Sequence, residues 1–289
     1  ENREEVNSLL DGIIKKATAV DGVSGEKGMA GYSTIAPRTL ASLLAQFSLL
    51  EPDFLDTVYE RHPVLHQTYR FHVDMWCMDE WYPQSGDTGR FGTKVTSYAG
   101  VSLPKSVDIN PSPWTFMWNL YDLTKDPAFV QILYKANEEK LEGLPYDLFG
   151  RDPAAFQADV QAVIDKEGEA IERKSVNKDE WRIAIMRRGE GDHRRALWLD
   201  YDSLGGHSHA DGMNLGLFAK GLDLMPDFGY PPVGYGGWGA PKAVWYTTTA
   251  AHNTVVVDGN NQNRTDGAMT LWLEGGRLQA MRASSSQMY

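Results

Sequence analysis

The stretch GGHSHADGMNLGLFAKGLDLMPDFGY, from Gly205 to Tyr230, decides how this chain is read. Its middle, NLGLFAKG, is a short apolar run closed by glycine and lysine, and turn residues stand on both sides. That pattern is a strand in an antiparallel sheet, not a turn of helix. The same grammar extends outward from it. EWRIAIMRRG and RRALWLDYDS precede it, and HNTVVVDG and LWLEGGRLQAMRAS follow. All are short runs rich in Val, Leu and Trp between Gly, Asn and Asp turns.

Upstream of about residue 175 the period changes from two to between three and four. REEVNSLLDGIIKKA places Val6, Leu9, Leu10, Ile13 and Ile14 on one helical face, and APRTLASLLAQFSLL does so with Leu40, Leu43, Leu44 and Phe47. TYRFHVDMWCM and SPWTFMWNLYDLT read as apolar helices. DPAAFQADVQAVIDKEGEAIE opens with an Asp-Pro start signal. Runs of helices followed by runs of strands predict separate layers or domains and not an alternating weave. The fold class expected is α+β and multidomain, with residues 1–175 helical and 176–289 antiparallel sheet.

Composition narrows the function. The 289 residues are 42% hydrophobic and 23% charged, as in an ordinary globular protein. A net charge of −11 argues against nucleic acid as a partner, because phosphate contacts need a basic surface. No apolar run approaches the roughly 18 residues of a membrane span. One cysteine, Cys77, excludes an intrachain disulfide and a thiolate zinc set, and it reads as a buried apolar residue. The 9 Trp and 13 Tyr suit either a core or carbohydrate stacking. An acidic substrate would need a locally basic cleft.

His207 and His209 carry the chemistry of the opening stretch. On a strand, residues i and i+2 project to the same side, which suits either a metal pair or a hydrogen-bonded pair. Asp227 follows 18 residues after His209, and His252 lies 25 further on. Imidazole and carboxylate without thiolate is a legitimate zinc set. Asp211 competes as ligand, or serves as the partner that fixes an imidazole tautomer. HSHAD also resembles the His-x-His-x-Asp-His string of metallo-β-lactamase-like hydrolases. Gly212 breaks that string, and the helix-first layout does not suit that fold.

The combination GGHSHADGMNLGLFAKGLDLMPDFGY with YTTTAAHNTVVVDGNNQ resembles the heparinase II/III-like polysaccharide lyases and their alginate-lyase relatives. The resemblance covers roughly residues 205–262. It implies a partial (α/α) toroid followed by an antiparallel β-sandwich. It also implies a structural zinc ion held by His209, Asp227 and His252, and leaves His207 facing the substrate. DGVSGEKGMAGYSTIA resembles the segment that carries the family's acid/base tyrosine, which points to Tyr32. The residue that neutralises the uronate carboxyl in such lyases stands farther upstream than Glu1 allows, so it is expected outside the given residues.

The activity this implies is β-elimination on a uronic-acid polysaccharide of alginate, glycosaminoglycan or ulvan type. Tyr32 and His207 are then catalytic, and Tyr230, Tyr246, Gln84 and Arg90 bind substrate. A periplasmic or secreted location follows from the resemblance alone, and a homo-oligomer is left open. Two rival functions remain at this point: a zinc-dependent hydrolase and a non-catalytic carbohydrate-binding protein. A toroid glycoside hydrolase would need paired carboxylates, for which Asp79, Glu80 and Asp87 are the candidates. His62, His66 and His72 make no ligand set by spacing. His193, in the arginine-rich IMRRGEGDHRR, reads as part of a solvated hairpin.

Overall fold

The computed structural model describes residues 2–107 and 112–289. Among these described residues seven α-helices come first: α1 Asn2–Ala17, α2 Ile35–Leu50, α3 Phe54–Arg61, α4 Val64–Met75, α5 Pro113–Thr124, α6 Ala128–Ala136 and α7 Pro153–Glu167. Strands β1 Val176–Lys178, β2 Ile183–Arg188, β3 Arg195–Asp200, β4 Asn214–Ala219 and β5 Leu222–Asp223 follow. A short helix, α8 Pro241–Tyr246, then precedes β6 Ala268–Glu274 and β7 Gln279–Ser284.

The chain divides into two compact units. The first comprises residues 1–18, 35–73 and 97–172, and the second residues 19–34, 74–96 and 173–289. The second unit therefore recruits two loop segments from the part of the sequence read as helical. Those segments carry Tyr32, Gln84, Asp87 and Arg90.

Local signals start the helices of the first unit. The Ser112 hydroxyl accepts the Thr115 N–H, with Pro113 following as the first helical residue of α5. Asp152 caps α7 in the same way, accepting from Ala154 at 2.8 Å ahead of Pro153. Leu44, Leu65, Tyr69, Trp114, Leu120, Phe129 and Phe156 fill this unit's core. His62 and His66 are held by Asp11 at 2.7 Å and Asp126 at 3.0 Å, and His72 is buried. α4 stops at Met75, short of the helix expected through Met78, because Met78 and Asp79 turn the backbone into left-handed φ of 56° and 63°. Cys77 is buried, and burial pushes its thiol pKa up. Among the described residues no helix is long and apolar enough to cross a membrane.

In the second unit, strands β1 to β5 form one antiparallel sheet in chain order, and β6 pairs with β7 as a separate hairpin. Alternation is clean on β4, where Asn214, Gly216 and Phe218 face inward and the residues between them are half-buried. Gly216 lies opposite Trp198 on β3, and a Cβ there would meet the Trp198 indole at 2.1 Å. The glycine makes room for the largest core side chain of the sheet. Trp81 stacks on Phe218 at 5.4 Å from the preceding loop. At the end of the sheet that receives the site, the inward face changes from apolar to polar. Asp200 and Asn214 are cross-strand partners there, and both are fully buried.

Two expected strand positions are corrected. His207 and His209 lie in a turn segment between β3 and β4, with His207 at φ 59°. HNTVVVDG forms no ladder among the described residues. It follows a 3-10 turn at Thr249–Ala251, and its only pairing is an isolated bridge between Val257 and Asn260. Its own side chains tie it down instead. Asn253 donates to the Met225 and Pro226 carbonyls, and Thr254 donates to the carbonyl of Gly212 at 2.7 Å. Three valines in a row signal a strand only when a partner edge is available, and Val255, Val256 and Val257 are exposed.

Candidate functional site

The site is assembled by three loops of the second unit, residues 24–34, 84–90 and 203–211, which meet at the polar end of the sheet. Lys27 locks them together from beneath. It is only 2% exposed, and its ammonium lies 3.1 Å from Asp200, 2.7 Å from Asp202 and 4.0 Å from the centre of the Trp181 ring. It also donates to the Trp181 carbonyl at 2.9 Å. Burial pulls the Lys27 pKa down, but the two carboxylates outweigh burial and hold it above its ordinary value. Burial pushes the carboxyls of Asp200 and Asp202 up, with Lys27 opposing. The Ser85 hydroxyl donates to Asp200, which brings the second loop to the same cluster.

Backbone contacts finish the lock. The Lys27 amide donates to the Gly206 carbonyl at 2.8 Å, and the Gly28 amide to Ser85 at 3.1 Å. Gly86 has a φ of 58°, and a Cβ there would sit 2.3 Å from the His207 carbonyl oxygen. Only glycine tolerates both the left-handed backbone and that approach. Asp87 then donates its amide to the same carbonyl at 3.0 Å.

This arrangement separates the two histidines of the opening stretch. His207 stacks flat on Tyr32, with ring centroids 3.5 Å apart and planes 6° from parallel. The Tyr32 hydroxyl lies 3.3 Å from that of Tyr230. The hydrogen bond with Tyr230 comes first in pushing the Tyr32 pKa up to about 12, followed by burial and by negative charge from Tyr230, Asp87 and Glu26. At neutral pH Tyr32 is therefore a neutral, protonated phenol. His207 also has Glu26 at 3.9 Å.

His209 turns inward and is 3% exposed. Its Nε2 lies 2.9 Å from Asp87, and its Nδ1 has no hydrogen-bond partner. His252, at 8% exposure, mirrors it: Nδ1 lies 2.8 Å from Asp227, and Nε2 is buried without a partner. Burial pulls the His252 pKa down, but the Asp227 hydrogen bond and the charges of Asp227 and Asp211 outweigh it. A carboxylate on one imidazole nitrogen fixes the proton there and leaves a bare lone pair on the other. His209, His252 and Asp211 each offer a donor atom, and these atoms lie within 4.8 Å of one another. Two orphaned imidazole nitrogens and a carboxylate suit a zinc ion.

The geometry differs from the ligand set read in the sequence. Asp227 stands behind His252, where it accepts from Asn214 at 3.0 Å and from Gly229 at 2.9 Å. Asp211 is grouped with the two imidazoles and takes the Gly86 amide at 2.9 Å.

The remaining candidates divide. Gln84 is buried, and both ends of its amide are occupied: its oxygen accepts from the Asp227 amide at 3.1 Å, and its nitrogen donates to the Arg90 carbonyl at 2.9 Å. It braces the loop and offers nothing to a substrate. Arg90 is exposed, and its backbone bridges to Gly229. Tyr246 packs on Phe228 at 5.1 Å, in an aromatic cluster with Trp245. Asp79 is engaged by Arg173, so it forms no carboxylate pair for glycoside hydrolysis. Lys27, Asp200 and Asp202 were not legible as site residues, and Asp87 was legible only as a candidate for a glycoside-hydrolase pair.

Fold and site together define a protein with a helical unit and an antiparallel-sheet unit, whose loops enclose a buried histidine–aspartate cluster beneath a tyrosine pair. Residues 170–284 match the family described as heparinase II/III-like, C-terminal. Over those residues the chain resembles the C-terminal part of heparinase II/III-like proteins. Over 99 residues it is 35% identical to an exo-oligoalginate lyase of Saccharophagus degradans, a match covering 32% of this chain and 13% of that enzyme. Among solved structures, the heparan sulfate lyase HepC of Pedobacter heparinus superposes with a TM-score of 0.61 at 17% identity. That alignment covers 97% of this chain and 37% of HepC. A heparinase III gives a TM-score of 0.54 at 14% identity, over 97% of this chain and 37% of its own. These structures share the fold, and the chain spans well under half of each.

Proposed function

We propose that this chain is the part of a polysaccharide lyase that carries its acid/base tyrosine, and that the enzyme cleaves uronic-acid-containing glycans by β-elimination. The observation that carries the reading is the Tyr32–Tyr230 hydroxyl pair, capped by the His207 ring. The family match supports it, as does the likeness to an exo-oligoalginate lyase of Saccharophagus degradans. In this reading the helical unit belongs to an (α/α) toroid, the sheet unit to a β-sandwich, and the enzyme works in the periplasm or outside the cell.

Elimination removes the proton at C5 of the uronate. Its electron pair forms the C4–C5 double bond, and the C4–O4 bond breaks as O4 takes a proton. Negative charge flows onto the uronate carboxyl as C5 is deprotonated, so hydrogen-bond donors or cations there lower the barrier. His207 and Arg90 are this chain's candidates for that contact. Tyr32, held protonated by its neighbours, supplies the proton to O4. To take the C5 proton as base it needs donors or positive charge that stabilise phenolate, because the neighbours now around it, Tyr230 first, favour the neutral phenol.

A zinc ion, when bound, would tie together the loops beneath this pair. His209, His252 and Asp211 would hold it, with Asp87 and Asp227 orienting the imidazoles. Burial of all three ligands favours that structural role over activation of water, which needs a coordination position open to substrate. The hydrolase reading is correspondingly weaker.

The test is ultraviolet absorbance of the unsaturated product while the enzyme digests alginate, heparan sulfate and ulvan, with Tyr32→Phe in parallel. A signal on one polymer that Tyr32→Phe abolishes is expected. New reducing ends without that absorbance would mean hydrolysis and overturn the reading.

A further inference from the structure

Pro231 to Ala240, PPVGYGGWGA, is a loop whose backbone is ordered by its own turns. Tyr235 donates its amide to Pro232 at 3.2 Å, Gly237 to Val233 at 2.8 Å and Ala240 to Gly237 at 3.2 Å. Gly236 and Gly237 take left-handed φ of 109° and 76°. Around Gly234, Gly237 and Gly239 nothing lies within 4 Å of where a Cβ would be. The loop thus stands clear of its surroundings and carries almost no aliphatic bulk, yet it holds out two large rings. Tyr235 is 86% exposed and Trp238 52%.

Trp238 is nevertheless placed. Its ring meets Tyr230 edge-on at 5.8 Å and 62°, and Tyr230 in turn reaches the Tyr32 hydroxyl. His207, Tyr32, Tyr230 and Trp238 therefore form a continuous row of rings. The first two face each other, and the last is about half exposed. Indole presents a negative π-face, which attracts the polarised C–H groups on the flat side of a pyranose. A uronate's charged edge is repelled by the same face, so such a sugar docks by its C–H side. A protein-docking patch would set these rings among aliphatic side chains, whereas in this loop each stands between glycines in the chain.

We propose that Trp238, assisted by Tyr235, is a sugar-stacking platform that binds the pyranose next to the one held at Tyr32 and Tyr230. It thereby sets the preference for longer chains. This rests on the polysaccharide-lyase reading above.

The experiment compares wild type, Trp238→Ala, Trp238→Phe and Tyr235→Ala on alginate and heparan sulfate oligosaccharides of defined length. One lost ring contact of the usual strength is worth a KM increase of about tenfold. Trp238→Ala is expected to show that rise on long oligosaccharides and a much smaller one on the shortest cleaved, with kcat falling less than KM rises. Trp238→Phe should recover most of the loss. An equal effect at every length, or a fall in kcat at constant KM, would overturn the proposal. Tryptophan fluorescence of Tyr32→Phe titrated with the same oligosaccharides reads binding without turnover. A saturable change that Trp238→Ala removes supports the platform even if no unsaturated product is ever formed, so failure of the lyase reading is seen separately. Concentration-dependent self-association lost in Trp238→Ala, with no response to sugar, would assign these rings to a contact between copies instead and overturn the platform.

Discussion

Replacing Lys27 by Met tests the reasoning about how the site is held. The substitution keeps the buried stem and removes the ammonium. Asp200 and Asp202, 3.1 and 2.7 Å from that nitrogen, then remain in the interior without a counter-charge. Asp200 keeps the Ser85 hydroxyl, but the Trp181 carbonyl loses its donor and its ring loses the cation. Breaking a buried pair by deleting one partner costs about 3–5 kcal/mol, so the urea midpoint should fall accordingly at pH 7. The loss should shrink as the pH is lowered, because protonation neutralises the stranded carboxyls. In the wild type the folded Lys27 pKa lies above its unfolded value of about 10.4. Its contribution is therefore full below that pH and is lost as the pH climbs through the folded value. Adding Asp200→Asn and Asp202→Asn to Lys27→Met should recover most of the stability. A loss under about 1 kcal/mol, or one independent of pH, would refute the claim that this ion cluster fastens the three loops.

Other expectations follow from single contacts. Burial raises the Asp223 pKa to about 6, against an unfolded value of about 3.9. The penalty for ionising it is absent below about pH 4 and complete above about pH 6. Asp223→Asn should therefore gain about 1 kcal/mol at pH 7, after allowance for its partial exposure, and nothing at pH 4; equal gains in melting temperature at both would refute this. Gly216→Ala should destabilise by about 1–3 kcal/mol or more through collision with the Trp198 indole, with recovery in Gly216→Ala/Trp198→Leu. A neutral single variant in thermal unfolding would show that the packing relaxes. Metal analysis of purified protein should find zinc that Asp211→Asn loses. Asp227→Asn should keep it with an affinity about 10–100-fold weaker. The reverse pattern would return Asp227 to the ligand set.

Much of the architecture was legible because its causes are local. Ser112-Pro113 and Asp152-Pro153 start helices with groups a few residues apart, and two-residue alternation marks β3 and β4. His209 and His252, and Tyr32 and Tyr230, all named from the sequence, lie side by side in the fold. Local signals misled where the outcome depended on a distant partner. HNTVVVDG has the composition of a strand, but its anchors come from Gly212 and Met225. Gln84 looked available on a polar loop, but folding puts Asp227 on one side of its amide and Arg90 on the other.

The sequence by itself determined the order of helices and strands, their caps and turns, and the set of residue types available for chemistry. Tertiary structure alone decided which carboxylate faces which imidazole, and that a lysine lies beneath them, 173 residues from Asp200 in the chain. Periodicity and capping act within a turn or two of backbone, where chain connectivity sets the geometry. A buried ion cluster forms only after three remote loops have excluded water together, and its strength comes from that exclusion.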